Sequence, residues 1–434
     1  MKGLNFTDWE ALVSLPGATP DWVCLGQAFE ALSALDDTPQ DARYHAEGDV
    51  GTHNRMVLER TVNDSAYAQL AGPRRALAFY AALFHDIAKP PTTVHEPDGS
   101  ITSRGHSRLG AKMAAEWAWR AGAPIEWRES LRRLIIAHQE PFMAMKDGAE
   151  ERMRKLSHEM DLRLLALLTR SDGAGRLTNP PSLRDQALSS VEWFELAAKE
   201  ENCWGQAWPT AGARETREWA KRGLSAIDPR WPQGGPGGFP IVALSGLPAS
   251  GKNAFCDQFF QGWPVVSFDA EREKRGAKPG SKEADRAAHA VIESAREHLR
   301  AGRSFVWNAT HLSRLARKSA TELCEGYGAR MHWMSLEAPL AELLRRNKNR
   351  DSSLPQAKLA SMVRLWEPPE TLEGDFVSFH SVNGQESAPV FRAWEALPDG
   401  SAESAIDRAW RMAADAQSLP AGTKKTLPRR PKTL

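Results

Sequence analysis

The sequence predicts a multidomain protein in which an all-α N-terminal domain precedes an α/β domain built on a parallel sheet. Three observations carry this. Up to about residue 230 the apolar residues recur at helical spacing, and strand-like runs are scarce. Beyond that point short apolar runs alternate with charged helical stretches, the texture of a parallel α/β sheet. Between the two lies Trp231-Pro232-Gln233-Gly234-Gly235-Pro236-Gly237-Gly238, a flexible linker by composition. The expected division is therefore 1–230 for the helical domain, 231–238 for the linker, 239–396 for the α/β domain and 397–434 for a disordered basic tail.

Taken in order, the run from Ala76 to Phe84 reads as a helix leading into His85-Asp86 and stopped by Pro90-Pro91. Leu131 to His138 and Leu162 to Leu168 are further apolar helical stretches. In the second domain the strands are expected at 241–244, 265–268, 305–307 and 331–334, with helices near 282–301, 313–326 and 338–349. From 397 the chain turns to Ser, Ala and Pro, with one helix near 402–416. It ends in Lys424-Lys425 and Arg429-Arg430-Pro431-Lys432 with no acid among them.

Composition excludes several classes. A net charge of +1 gives no whole-molecule field toward nucleic acid, so any such binding must come from local patches. The four cysteines form no CxxC pair, which argues against a zinc ribbon or a disulfide framework and fits a reducing compartment. The N-terminus lacks an apolar signal core, and no apolar run is long enough to span a bilayer. A cytoplasmic protein without a membrane partner is expected. The 16 tryptophans are read as core packing before base stacking.

Seven of the 12 histidines fall between residues 45 and 158, so the chemistry of the first domain is concentrated there. A His-Asp pair ending an apolar helix costs several kcal/mol to bury unless it is paired or metal-bound. Helical neighbours point about 100° apart, yet both can line one pocket, and Asp86 could bridge two ions. Mixed His/carboxylate ligands suit one or two divalent ions such as Mn, Fe, Co, Ni or Zn. Such a site generates a nucleophilic hydroxide and screens a phosphate.

The segments Tyr44-His45-Ala46-Glu47-Gly48-Asp49-Val50-Gly51-Thr52-His53, His85-Asp86-Ile87-Ala88-Lys89-Pro90 and Gly105-His106-Ser107-Arg108-Leu109-Gly110-Ala111 resemble the HD domain. They are most similar to the HD module of CCA-adding tRNA nucleotidyltransferases. The resemblance implies that His53, His85, Asp86 and Asp172 bind a first metal. It matches His106 and His138 to the extra histidines of dinuclear members, and Lys89 to a lysine that contacts phosphate. Too few residues precede this region for a nucleotidyltransferase domain, so nucleotide addition to tRNA is not expected.

Gly246-Leu247-Pro248-Ala249-Ser250-Gly251-Lys252-Asn253 fits the GxxxxGK phosphate loop, directly after the strand-like Ile241–Leu244 run. Its backbone N–H groups can wrap a β-phosphate, and Lys252 reaches the β/γ oxygens. Gly246, Ser250, Gly251, Lys252 and Asn253 are the expected nucleotide-binding residues. Asn253 departs from the motif, standing where Ser or Thr normally ligates Mg²⁺, although its amide oxygen can accept a metal contact. Asp269 is expected at the end of a short strand, where open α/β sheets place ligand-contacting groups. Arg272 follows one turn later, and Arg345, Arg346 and Arg350 crowd a helix end.

These segments, with Trp307 to Arg314, Leu354-Pro355 and Trp366 to Pro369, resemble the 5′-kinase domain of polynucleotide kinases. The resemblance implies that Asp269 is general base on a 5′-hydroxyl and that Arg272 contacts the acceptor phosphate. It gives Arg346 and Arg350 the donor phosphates. The Asp that positions the acceptor-side arginine falls at Asn308, a second departure.

An HD domain followed by such a kinase domain is similar to the HD-Pnk family of nucleic-acid end-healing enzymes. The implied function is hydrolysis of 2′,3′-cyclic, 2′- or 3′-phosphate ends and NTP-dependent phosphorylation of 5′-hydroxyl ends. The implied cofactors are ATP or another NTP with Mg²⁺ and the HD metal. The implied partners are RNA or DNA ends and a ligase acting on them. The residues alone leave two alternatives open: an HD nucleotidase fused to a small-molecule kinase, and an NTP-binding regulator whose loop is inactive because of Asn253.

Overall fold

Helix starts in the first part of the chain follow from their capping residues. Asp49 accepts from the Thr52 amide at 2.7 Å and opens the helix Val50–Val62. Asp161 does the same for Leu162–Ala174, and Pro73 sits in the first turn of Gly72–Phe84. Every residue from Ala76 to Phe84 is buried. A helix apolar on all sides must be surrounded, and Val50–Val62, His106–Arg120, Ile125–Ala137 and Leu162–Ala174 all pack on it. Pro90 and Pro91 do not end this helix as expected. It ends at Phe84, and the prolines fall in the first turn of a separate short helix, Lys89–Thr92, where a missing N–H costs nothing. A two-strand antiparallel hairpin, β1 (Val94–His95) and β2 (Ile101–Thr102), follows that short helix.

The computed structural model describes residues 4–224, 228–230, 238–277, 281–349, 353–381, 386–387 and 405–418. All of the expected linker at 231–238 except Gly238, the expected tail at 397–434 apart from 405–418, and Arg350 lie outside the described residues. Two compact units divide between Pro209 and Thr210, and each is described by itself.

The second unit holds six strands: β3 (Pro240–Ser245), β4 (Val265–Ser267), β5 (Val306–Asn308), β6 (Arg330–Glu337), β7 (Phe376–Ser381) and β8 (Glu386–Ser387). Their order is β4-β5-β3-β6-β7-β8. The first five are parallel, and β8 is antiparallel to β7. β3 is central, and all six of its residues are buried, as a strand covered on both faces requires. The chain reaches β4 and β5 on one side of β3 and then crosses to β6 on the other. The loop after β3 therefore opens at a topological switch point.

Three expectations are corrected here. The helix Ala213–Arg222, placed in the first domain by the expected boundary at 230, belongs to the second unit. Its buried Arg217 pairs with Asp375 at 3.4 Å and with Glu325. The helix expected near 402–416 spans Ala405–Ser418 and is packed instead of lying in a disordered tail: its Ala409 and Ala413 are buried with Val242, Leu244, Phe260 and Leu336. β7 follows a sequence that the apolar-run reading passed over, because its buried residues include Ser378 and His380, bonded to each other at 2.8 Å. Among the described residues no helix is long and apolar enough to cross a membrane.

Candidate active sites

In the first unit the helices deliver their histidines in one repeated way. His85, His106 and His138 each stand at a helix end and set Nδ1 against a backbone carbonyl three residues back: Ala82 at 2.8 Å, Ser103 at 2.7 Å and Ile135 at 2.8 Å. Such a bond consumes Nδ1–H and leaves Nε2 as the ligand atom. His53 differs: its Nδ1 makes no hydrogen bond in this geometry, but Glu47 Oε1 stands 2.9 Å away as an ion-pair partner. Asn54 donates to Leu83 O at 3.1 Å, satisfying a terminal carbonyl and fixing where His85-Asp86 leaves the helix.

The four Nε2 atoms converge on Asp86. Its Oδ2 lies 3.2 Å from His85 and 3.8 Å from His53; its Oδ1 lies 3.2 Å from His106 and 4.0 Å from His138. Asp172 Oδ1 is 3.1 Å from His53 Nε2. Among the described residues three groups could hold an ion: His53-His85-Asp86 and Asp86-His106-His138, which share the one carboxylate, and His45-Glu47-His53. The structure thus brings together all six sequence-predicted ligands.

Electrostatics fit a cation. Asp86 and Asp172 are buried carboxylates that pair with Lys89 and Arg176 respectively, and the buried carboxylate of Glu47 pairs with His45 and His53. Burial would raise the carboxyls of Asp86 and Asp172. For Asp86, His85 and Lys89 outweigh it, and for Asp172, Arg176 and His53 do, so both are held well below the usual range. Burial pushes His138 down to about 3, keeping it a neutral ligand. Burial opposes charge on His53 too, but Asp172 and Glu47 overcome it and raise its pKa. His53 Nε2, His85 Nε2 and Asp86 Oδ1 are buried and make no hydrogen bond. Orphaned donor and acceptor atoms aimed at one point are what a metal ion satisfies.

Lys89 Nζ is held by Asp86 Oδ2 at 2.7 Å and by Gln40 Oε1 at 2.7 Å. Gln40, Glu47 and Arg176 were not picked out from the sequence. Arg176, one helical turn after Asp172, bonds its carboxylate and lies 4.5 Å over the Phe142 ring. Its i+4 spacing was the available signal. Glu47 was visible only as part of the quoted motif.

In the second unit, the loop after β3 takes up the phosphate-loop shape. Gly246 has φ 154°, and any Cβ there would collide with the Leu336 carbonyl. Ala249 holds a left-handed φ of 66°, a strain that proteins keep where a ligand needs it. Lys252 opens the helix Lys252–Phe259 and turns its Nζ onto Gly246 O at 3.0 Å and Leu247 O at 2.9 Å. Ser250 is buried with its Oγ unpartnered. A Cβ at Gly251 would lie 3.1 Å from Arg346 Nη1, so that guanidinium hangs beside the loop, steered by Glu342. Arg345 is exposed, and its guanidinium pairs with Glu342.

Asp269 does not end a strand. It lies in the first turn of the helix Phe268–Lys274, capped by Ser267, because β4 stops one residue earlier than its apolar run. Its carboxylate is largely exposed, and Arg272 Nη2 stands 3.5 Å away. The Asp269–Arg272 pair is thus open to solvent. His311, in the loop after β5, has φ 40° and sets Nδ1 2.8 Å from Leu244 O. Burial, with Arg317 and Lys252 nearby, pushes it down to about 4, so it is a neutral support for the end of β3.

The two departures from the motif meet. Asn308 Nδ2 donates to Asn253 Oδ1 at 2.8 Å.

The comparisons with known proteins follow this division. The HD domain family matches residues 57–176, starting just after His53, and the AAA domain family matches residues 241–369. The multifunctional CCA protein of Paracidovorax citrulli is 29% identical over 215 residues, 46% of this chain and 47% of that protein. Its counterpart in Methylococcus capsulatus is 33% identical over 118 residues, 27% of this chain and 25% of that protein. The chain thus spans a quarter to about half of these curated relatives. A solved Pnkp1/Rnl/Hen1 complex is 22% identical over 29% of this chain and 44% of its own, with a TM-score of 0.25. A putative kinase from Chloroflexus aurantiacus is 16% identical over 42% of this chain and 99% of its own, at 0.32. Likenesses at those TM-scores carry no weight for function. From the two family matches and the two sites, the chain is an HD domain followed by a kinase-like P-loop domain, the order of the family it resembles.

Proposed function

We propose that the protein heals broken nucleic-acid ends, removing phosphate from 2′,3′-cyclic, 2′- or 3′-phosphate termini in the HD unit and phosphorylating 5′-hydroxyl termini in the P-loop unit. The observation that carries the reading is the presence, on one chain, of two side-chain clusters that suit phosphate chemistry of opposite sense. One is a cluster of four imidazole Nε2 atoms on a shared carboxylate with a lysine beside it. The other is a phosphate loop with Lys252 and Arg346 on the donor side. The nucleic-acid substrate is supported by the motif resemblance and by the Asp269–Arg272 pair open to solvent.

In the HD unit, His53, His85, Asp86, His106, His138 and Asp172 would hold the divalent ions, whose bound form supplies Lewis acidity for water attack on phosphorus. Lys89, tethered by Gln40 and Asp86, places its ammonium for a phosphate oxygen, and Arg176 keeps Asp172 ionised and aimed. In the P-loop unit, Asp269 accepts the proton of the 5′-hydroxyl as that oxygen bonds to the γ-phosphorus, and the bond from γ-phosphorus to the β-bridging oxygen breaks. Arg272 holds the acceptor phosphate. Lys252 and Arg346, with Arg350, stabilise charge on the transferring group, which dominates phosphoryl transfer. A ligase would then use the healed ends.

The test is an RNA carrying a 5′-hydroxyl and a 2′,3′-cyclic phosphate, incubated with ATP and, in turn, Mn²⁺, Ni²⁺, Co²⁺, Fe²⁺, Zn²⁺ or Mg²⁺. Both ends should change. Turnover of free nucleosides and nucleotides with the RNA left intact would replace this reading with the small-molecule one.

A further inference from the structure

The motif position that usually supplies a hydroxyl to Mg²⁺ is Asn253, and the strand-end position that resembles an aspartate is Asn308. Each departure alone reads as damage. Together they form one unit, because the strand order sets β5 beside β3 and brings Asn308 to the start of the Lys252–Phe259 helix. Asn308 is buried, and its amide hydrogen is given to Asn253 Oδ1 at 2.8 Å.

A hydroxyl–carboxylate pair in these places offers an oxygen lone pair and a negative charge, both of which suit a hard cation. The amide pair offers neither in the same measure. It is neutral, and the Asn253 oxygen is already accepting. What Asn253 has left to present is its NH₂ group, and N–H donors suit phosphate oxygens. The surroundings point the same way. The helix N-terminus, Lys252 Nζ and the Arg346 guanidinium beside Gly251 are all positive. The carboxylates carried nearby, Asp269 and Glu342, face Arg272 and the Arg345–Arg346 pair. The residues present therefore do not fit a protein-held Mg²⁺ at position 253.

We propose that Asn253 and Asn308 act as one neutral amide pair that grips the donor's phosphates directly, so that nucleotide binding in the P-loop unit is nearly independent of Mg²⁺. The cation arrives on the nucleotide and has no ligand of its own at this position. Asn253 is the phosphate contact, and Asn308 is the positioning residue that turns its amide. The proposal rests on residues 246–253 being a nucleotide-binding loop.

The experiment measures ATP affinity of the full-length protein by calorimetry, in excess Mg²⁺ and in EDTA. Site-to-site couplings commonly run from about 5- to 150-fold. The wild type should change by less than about 3-fold on this scale. Asn253→Ser combined with Asn308→Asp should gain a dependence of at least about 10-fold, the wild-type pair having been exchanged for a cation-holding one. Asn308→Asp alone should weaken binding in EDTA, and adding Asn253→Ser should rescue it only with Mg²⁺. That non-additivity is a signature a merely structural role would not give. A wild-type loss of about 10-fold or more in EDTA overturns the pair while leaving the loop a nucleotide site. A wild type that binds no ATP in either buffer overturns the loop reading and the pair with it. The wild-type comparison needs no variant to fold.

Discussion

A histidine becomes a metal ligand only when its other nitrogen is occupied, and in the HD unit that second bond is as specific as the first. Glu47 pairs with Nδ1 of His53 and shares its carboxylate with His45, whose Nδ1 is also 2.9 Å away. Removing such an outer partner typically costs about 10–100-fold in metal affinity. Glu47→Ala should therefore release metal to a competing chelator at concentrations the wild type withstands; unchanged retention would reduce Glu47 to a packing residue. Asp86→Ala should go further and leave the unit without bound transition metal, since it removes the carboxylate common to two of the ligand groups. On the other unit, Lys252→Ala should abolish 5′ phosphorylation, and Asp269→Ala should do so while ATP affinity stays as in the wild type. A kinase rate that survives either change would sink the assignment. His53, His85, Asp86, His106 and the loop stood out in the sequence because each sits in a short motif, whereas His138 and Asp172 came in only through the family resemblance. The Asn253–Asn308 bond was not legible, because it joins positions 55 residues apart through strand order.

At the scale of elements, the sequence was readable wherever one period dominated. β3, β4, β5 and β6 fall on the expected apolar runs, shifted by a residue or a few at their ends. β7 hid because two of its buried residues are polar. The helix Ala405–Ser418 was expected, but its place in the core hid because its core contacts are made by alanines, which a hydrophobic-run reading discounts. Truncation after residue 404 should therefore destabilise the P-loop unit, since it uncovers β3-side residues such as Val242 and Leu244. Truncation after residue 418 should leave both activities intact at saturating substrate. Equal melting curves for the two truncations would argue against a structural role for that helix. β6 carries its own liability. His332 is fully buried against the Phe376 ring, and burial, with Arg408 and Arg330 nearby, pushes it down to about 3. Its folded pKa is depressed, so below the unfolded value near 6.5 the unfolded chain binds the proton and the folded chain does not. Stability from this group is complete above pH 6.5 and falls with acidification until about pH 3. Between pH 6.5 and 5 it should cost about 2 kcal/mol. His332→Phe should lack that loss in denaturant titrations at the two pH values.

For the whole molecule the boundary matters more than the linker. Arg217 ties the helix Ala213–Arg222 to Asp375 and Glu325, so a fragment beginning at 239 loses a buried cation, and one beginning at 210 keeps it. Breaking a buried pair costs about 3–5 kcal/mol. The longer fragment should melt higher and carry the full kinase rate. Activities should be separable in the intact chain: Asp86→Ala should spare the kinase, and Lys252→Ala should spare phosphohydrolysis without any NTP. A folded Asp86→Ala protein with a silent kinase would mean that the two sites share a substrate path.

The three histidines anchored to their own helix ends have a thermodynamic consequence. The Nε2 atoms of His85 and His138 are aimed by the last turn of a helix and that of His106 by the first residue of one, so fraying of those ends and release of the ion are the same event. The ion is then a fastener of secondary structure, and its free concentration becomes a stability variable. At a hundred times the dissociation constant it should add about 2.7 kcal/mol. Chelation should lower the melting temperature of the HD unit, raise amide exchange first at residues 82–89, 103–107 and 135–139, and leave the exchange of β3 unchanged.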